Sequence, residues 1–75
     1  MARHVTLYVR PGCLACDAAR QALLDAGRAF TEIDVGRHPE VVPELLKLTK
    51  GRRVVPVVVD GTRISLPDEG TGSAF

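Results

Sequence analysis

Two cysteines carry the most specific chemistry in this sequence. Cys13 and Cys16 are the only cysteines among 75 residues, and they form a C-x-x-C motif. An apolar alternating segment, residues 4–9, precedes the motif, and an alanine-rich helical pattern, residues 14–26, follows it. A C-x-x-C motif at such a strand-to-helix turn is typical of a dithiol redox site.

The expected turn places the first sulfur where an anion is stabilised. The N-terminal end of a helix presents unpaired N–H groups and the positive end of the helix dipole. In such settings the pKa of a cysteine falls to about 3.5–7.5 from about 8.5, and the thiolate is the nucleophilic form. Arg10, three residues before Cys13, can add a positive charge. Cys13 is therefore the predicted attacking residue.

Cys16 follows Cys13 by one helical turn. Residues at this spacing lie on the same face of a helix, so we expect an intramolecular disulfide between the two. Cys16 is predicted to be the resolving thiol, which attacks the mixed disulfide on Cys13 and releases the reduced substrate.

The remaining patterns predict a small α/β domain with the element order β-α-β-α-β-β. Strands are predicted for residues 4–9, 29–35, 54–59 and 62–66, and helices for residues 14–26 and 39–51. The third strand is expected to be central and the second to lie at an edge. Pro56 lacks a backbone N–H and is placed at the start of its strand. Residues 67–75 are poor in apolar side chains, so a loose tail is expected there.

The composition argues against nucleic-acid binding and against a membrane-spanning protein. With 75 residues, 45% of them apolar, and a net charge of +1, we expect a single soluble domain over residues 1–75, ordered over about residues 3–66, and a monomer. A nucleic-acid partner is not expected, because basic residues are mixed with acidic ones and no aromatic stacking platform accompanies them. No apolar run approaches the length that crosses a membrane. The first predicted strand begins almost at residue 1, and without room for an export signal we expect a cytoplasmic location.

The motifs resemble those of the glutaredoxin family of the thioredoxin superfamily. The resemblance covers about residues 4–66 and rests on Arg10-x-Gly-Cys-x-x-Cys, Asp34-Val35, Val54-Val55-Pro56 and Asp60-Gly61. It implies a thioredoxin-like, glutaredoxin-type fold with a four-stranded mixed sheet, in which the third helix is missing or vestigial. It also implies that a cis peptide bond precedes Pro56 and that this proline lies against the dithiol. The Val55 backbone would then be free to pair with an extended substrate.

The resemblance further implies an activity and a set of binding residues. A member of this family would exchange disulfides through its dithiol without a bound cofactor. Glutathione, or a thioredoxin-reductase-like flavoenzyme with NADPH, would supply electrons, and the substrates would be disulfide-containing proteins or glutathione mixed disulfides. The residues implied in substrate or glutathione binding are Arg10, Arg53, Val55, Pro56 and Asp68.

Three other interpretations of the cysteines stay open. They could be buried structural residues, or zinc ligands completed to four by His4 and His38. In the third, the protein is an iron–sulfur cluster or metal carrier in which Cys13 and external thiols bridge two copies. Such carriers tend to have a single cysteine, and Cys16 would compete for Cys13 as a disulfide partner. We therefore favour the exchange site and assign no metal ligand.

Overall fold

The strands and helices are described by a computed structural model that covers residues 4–67 and 72–75. In chain order they are β1 (Val5–Val9), α1 (Leu14–Asp25), β2 (Phe30–Asp34), a 3-10 turn (Pro39–Val41), α2 (Val42–Leu48), β3 (Val54–Val55), β4 (Val57–Asp60), β5 (Arg63–Ser65) and β6 (Ser73–Ala74). The predicted third strand is divided at Pro56 into β3 and β4. Within the described residues there are two α-helices, and neither is long and apolar enough to cross a membrane.

The main sheet has four strands in the order β2-β1-β4-β5. β1 is parallel to β2, with Val5 opposite Phe30, and antiparallel to β4, with Leu7 opposite Val58. β5 continues the sheet antiparallel to β4. The predicted four-stranded mixed sheet is confirmed, with β2 at one edge and β4 between two neighbours.

A tight turn joins β1 to α1 and fixes the position of the C-x-x-C motif. Gly12 in this turn has a φ of +74°, which residues with a Cβ rarely adopt. Helix α1 then returns the chain to β2, which lies parallel to β1 in the usual β-α-β arrangement. The first cysteine is therefore held where a central strand ends and a helix begins.

The hydrophobic core surrounds the two cysteines. Its buried members come from β1, α1 and the residue before it, α2, β3, β4 and the residue after β2: Leu7, Tyr8, Val9, Cys13, Cys16, Val35, Leu45, Val55 and Val57. Leu7 and Leu45 are both 0% exposed, and full burial of such a side chain stabilises a fold by about 1.5–3 kcal/mol. The dithiol is thus positioned by the best-packed part of the molecule.

The loose tail expected for residues 67–75 is wrong for residues 72–75. Ser73–Ala74 forms β6, antiparallel to β3, with Val54 opposite Ala74 and Val55 opposite Ser73. Composition does not reveal such a ladder, because its hydrogen bonds use backbone groups that every residue except proline provides.

Gly72 allows this segment to approach β3 closely. A Cβ on Gly72 would lie 2.5 Å from Cγ2 of Val54, 2.6 Å from Cγ of Pro67 and 2.7 Å from the backbone oxygen of Val55. These separations are far below van der Waals contact, so any side chain at this position would push the segment away from β3.

Candidate active site

Cys13 is the N-cap residue of α1 and uses its own sulfur as the capping acceptor. Its backbone is extended (φ −97°, ψ 108°), and the Sγ atom accepts the backbone N–H of Cys16 at 3.0 Å. A side-chain acceptor at this position satisfies one of the unpaired N–H groups of the first turn. The structure thus places the Cys13 sulfur at the helix N-terminus, as the sequence predicts.

The two cysteines are paired with each other. Cys13 and Cys16 form a disulfide across a Cα separation of 5.2 Å, within the usual range of about 4.4–6.8 Å. The two residues are only 2% and 1% exposed. A reaction partner therefore has very little open surface through which to reach either sulfur.

In the dithiol form the pKa of Cys13 lies below its ordinary value. Burial opposes ionisation of this thiol, but hydrogen bonds from the Cys16 thiol, the Ser73 hydroxyl and the backbone N–H groups of Cys16 and Ala15 together outweigh it. Hydrogen bonds to a charged form favour that form. These hydrogen bonds therefore favour the thiolate form of Cys13.

The pKa of Cys16 moves in the opposite direction, to about 12. Burial is the largest cause, followed by the hydrogen bond that the Cys16 thiol makes to Cys13; the charge of Cys13 adds to both. The backbone of Arg10 and the positive charge of Arg20 act against this rise. One helical turn thus holds one thiol that readily ionises and one that retains its proton, a separation typical of functional acid–base pairs.

Arg20 is a residue of the site that sequence reasoning missed. Its guanidinium lies 2.8 Å from Asp17 on the preceding turn and also binds the carboxylate of Glu32 on β2. The two carboxylates raise the pKa of Arg20, so its charge is permanent. The i, i+3 spacing of Asp17 and Arg20 could have indicated their pairing, but no local pattern indicates Glu32.

The Val55–Pro56 peptide bond is cis, as the family resemblance implies. Both residues are buried, and Val55 belongs to the same core cluster as Cys13. The expectation that the Val55 backbone is free for a substrate is wrong in this state, because Val55 pairs with Ser73 of the chain's own β6. The Ser73 hydroxyl, in turn, is one of the groups that lower the pKa of Cys13.

Arg10 and Arg53, two of the predicted binding residues, both contact the same C-terminal segment. Arg10 Nη1 donates to the backbone oxygen of Ala74 at 2.6 Å, and Arg53 Nε donates to the backbone oxygen of Phe75 at 2.9 Å. The Arg53 guanidinium carbon also lies 5.2 Å from the centre of the Phe75 ring, within the range of a cation–π interaction. Asp68, the remaining predicted contact, lies outside the described residues.

A groove of about 350 Å³ opens beside these arginines. Its lining residues are Arg10, Pro11, Val35, Gly36, Pro39, Val42, Arg53 and Phe75. The groove contains two guanidinium groups and a largely apolar wall, a combination that suits a peptide with backbone oxygens and an apolar side chain.

The two histidines make local surface contacts. His4 hydrogen-bonds to Thr31, and the Nδ1 atom of His38 lies 3.1 Å from a carboxylate oxygen of Glu40. Across residues 4–67 and 72–75, no three His, Cys, Asp or Glu side chains are grouped in a way that could hold a metal ion. In the described structure, then, these histidines do not join the cysteines in a zinc site.

Known proteins resemble this chain in sequence. The glutaredoxin family model matches residues 5–64. The glutaredoxin-like protein NrdH of Escherichia coli is 37% identical over 58 residues, which cover 77% of this chain and 69% of that protein. The hybrid peroxiredoxin hyPrx5 of Haemophilus influenzae is 33% identical over 66 residues, or 87% of this chain and 27% of that protein. The chain therefore corresponds to a little over a quarter of the peroxiredoxin.

The structure of this chain also resembles a solved structure of one of these relatives. The solved structure of NrdH-redoxin from Escherichia coli superposes with a TM-score of 0.74 at 33% sequence identity, covering 84% of this chain and 80% of that one. This likeness shows the thioredoxin-like fold. Together with the family match over residues 5–64 and the C-x-x-C pair at the start of α1, it shows that the chain belongs to the glutaredoxin family.

Proposed function

We propose that this protein is a thiol–disulfide oxidoreductase in which Cys13 attacks the substrate and Cys16 resolves the intermediate. The observation that carries the proposal is the Cys13–Cys16 disulfide at the start of α1, where the Cys13 Sγ atom also accepts the Cys16 backbone N–H at 3.0 Å. The pKa values agree with it, because that of Cys13 is lowered and that of Cys16 is raised. Exchange needs a thiolate to attack first and a second thiol that stays protonated until the intermediate exists.

In the first step the Cys13 thiolate attacks one sulfur of a substrate disulfide. A bond forms between Cys13 and that sulfur, the substrate S–S bond breaks, and the other substrate sulfur leaves as a thiolate that takes a proton from solvent. Before the attack, the Cys16 N–H at 3.0 Å stabilises the charge on Cys13.

The first step also prepares the second. Two influences that raise the pKa of Cys16, its hydrogen bond to Cys13 and the charge of Cys13, depend on the Cys13 thiolate. Both are lost when Cys13 enters a mixed disulfide, while Arg20 continues to favour the Cys16 thiolate. The pKa of Cys16 then falls, so Cys16 loses its proton to solvent and attacks the Cys13 sulfur. The Cys13–Cys16 disulfide forms, the substrate leaves as its second thiolate, and two electrons have passed to it.

We further propose a flavoenzyme of the thioredoxin reductase type, with NADPH, as the electron source. Glutathione, a tripeptide, would have to displace residues 73–75 from the Val55 backbone and the two arginines. Leu14, the residue after Cys13, is 84% exposed and offers an apolar contact to a protein partner. The related NrdH-redoxin is described as having a thioredoxin-like activity profile.

A pair of coupled assays tests both proposals. One contains a protein disulfide, NADPH and thioredoxin reductase; the other replaces the flavoenzyme with glutathione and glutathione reductase. We expect faster NADPH oxidation in the first, and loss of activity in Cys13→Ser. Wild-type turnover by Cys13→Ser would contradict the exchange function, and turnover confined to the glutathione assay would contradict only the choice of reductant.

The iron–sulfur carrier is distinguished by its metal content. Anaerobic purification followed by metal analysis and free-thiol titration is expected to give two free thiols per chain and no stoichiometric iron. A brown protein with bound iron and no titratable thiols would favour the carrier. The cytoplasmic location, the monomeric state and the absence of a bound cofactor stay predictions from the sequence.

A further inference from the structure

The backbone edge beside the dithiol is occupied by the chain itself. β6 lies antiparallel to β3, and Val55, the residue before the cis bond to Pro56, pairs with Ser73. An extended peptide from a partner would bind an exposed strand edge in the same way, through its main-chain groups. Residues 73–74 therefore hold the position that such a peptide would need.

The side-chain contacts of this segment are ones that a foreign peptide could equally make. Arg10 binds the backbone oxygen of Ala74, and Arg53 binds the backbone oxygen of Phe75 and lies over its ring. The Arg10 contact and the stacking of Arg53 on Phe75 involve a peptide oxygen and an aromatic ring, neither of which carries a charge. They would select for an extended main chain and one aromatic side chain.

Ser73 is the residue of β6 that faces the buried side of β3. Directly opposed residues of an antiparallel pair project from the same face of the ladder, so Ser73 lies on the face of Val55, which is 0% exposed. Val55 belongs to the same buried cluster as Cys13, which is itself 2% exposed, and the Ser73 hydroxyl is one of the groups that lower the pKa of Cys13. Attack on a disulfide requires the substrate sulfur to come within bonding distance of Cys13, and β6 covers the edge of β3 beside this cluster.

We propose that residues 72–75 are an internal substrate mimic, which an extended polypeptide disulfide displaces so that its cysteine takes the position of Ser73. This inference rests on the proposed exchange function and specifies its substrate. The same register calls for glycine before the substrate cysteine, because a Cβ at Gly72 would collide with β3. It also calls for an aromatic residue two positions after the cysteine, where Phe75 meets Arg53.

Cross-linking tests the register without any catalytic step. In a Cys16→Ser background, Ser73→Cys is treated with oxidised dithiothreitol, which is reduced to its dithiol as two protein thiols form a disulfide. Peptide mapping is expected to find Cys13 joined to the introduced thiol. The matched control is Ala74→Cys in the same background, whose side chain projects from the opposite face. Equal cross-linking in both chains, or none in the Ser73→Cys chain, would overturn the proposed register.

Displacement is tested with a synthetic peptide, Gly-Cys-Ala-Phe, whose cysteine is joined by a disulfide to an aromatic thiol. Attack by Cys13 at the peptide sulfur releases the aromatic thiolate, whose absorbance is followed at a pH where Cys13 is fully ionised. Gly72→Val should expel the segment and raise this rate about tenfold, the change expected if the segment occupies the edge about nine-tenths of the time. Ser65→Val, a matched change on β5, should leave the rate unchanged. Circular dichroism verifies that each chain is folded.

The peptide reaction can contradict the substrate mimic and the proposed exchange function independently of each other. Equal rates for wild type and Gly72→Val, repeated with a chain that ends at residue 71, would contradict the mimic and leave the exchange function intact. No reaction in any chain would contradict the exchange function. Equal rates with the reversed peptide, Phe-Ala-Cys-Gly, would contradict the proposed register.

Discussion

The Cys13 sulfur accepts the Cys16 backbone N–H at 3.0 Å, so the proposed nucleophile is also the N-cap of its helix. Oxygen-bearing side chains usually fill this position. Hydrogen bonds to an ionised acceptor are about twice as strong as bonds between neutral groups. Ionisation of Cys13 therefore strengthens a contact that the helix already uses, and α1 and the thiolate stabilise each other.

The first consequence is a shifted pH profile for alkylation. We expect the rate at which iodoacetamide modifies Cys13 in the reduced protein to have its midpoint below about 8.5, the value of a free cysteine. Cys16→Ala should move this midpoint upward, because it removes the Cys16 thiol that donates to Cys13. Peptide mass spectrometry across a pH series measures both. A midpoint at or above the free value in the wild type would contradict the expectation.

The same two thiols predict how the stability of the reduced chain varies with pH. The folded-state pKa of Cys13 is lowered, so its contribution is lost as the pH falls through that pKa. The pKa of Cys16 is raised to about 12, so its contribution is lost as the pH rises from the ordinary cysteine value toward 12. We expect the free energy of unfolding to rise up to about pH 8.5 and to fall above it.

Urea unfolding of the reduced chain at several pH values measures this profile. The disulfide form is the matched control, since it has no thiol to titrate and should lack both changes. A reduced chain whose stability falls steadily from neutral pH to about 8.5 would contradict the lowered pKa of Cys13.

The sequence indicated the dithiol and most of the sheet because both depend on local patterns. The C-x-x-C spacing determines that Cys13 and Cys16 meet within one turn. The valine-rich segment around Pro56 indicated a central strand, and β4 is central. In each case the signal lies within a few residues of the feature that it predicts.

The unpredicted parts of the site depend on contacts between distant segments. β6 is two residues long and pairs through its backbone, so no periodicity of side chains marks it. Gly72 is required by the nearness of Val54, which only the folded chain reveals. Arg20 likewise reaches Glu32 across an element boundary. The part of the site within α1 was therefore predictable. The contacts that β6 and β2 make with it were not.

Core packing gives a stability prediction that is independent of redox chemistry. Leu45 on α2 is 0% exposed and belongs to the cluster that holds the cysteines. Leu45→Ala should lower the free energy of unfolding by about 2–5 kcal/mol, since it removes buried methyl groups and leaves a cavity. Leu24→Ala is the matched control, because Leu24 is 55% exposed, and it should change stability by less than about 0.5 kcal/mol. Urea titration measures the free energy of unfolding of both variants. Equal decreases in Leu45→Ala and Leu24→Ala would contradict this assignment of the core.

Arg20 offers a way to slow the resolving step alone. Its positive charge is one of the influences that lower the pKa of Cys16, so Arg20→Ala should reduce the fraction of Cys16 thiolate once Cys13 is in a mixed disulfide. We expect about threefold slower release of the bound peptide, equivalent to about half a pKa unit, with an unchanged first step. Because exposed ion pairs contribute little, stability should change by less than about 1 kcal/mol.

Arg28→Ala is the control for that measurement. Arg28 pairs with Asp60 at 2.9 Å, and Asp60 lies opposite Val5 at the start of β1, whereas Cys13 follows the other end of that strand. Stopped-flow detection of the aromatic thiolate reports the first step, and acid quenching followed by mass spectrometry reports decay of the mixed disulfide. The positive charge of Arg20 is the relevant quantity, so Arg20→Lys should restore the release rate. Equal slowing by Arg28→Ala, or a slower first step in Arg20→Ala, would contradict a role confined to Cys16.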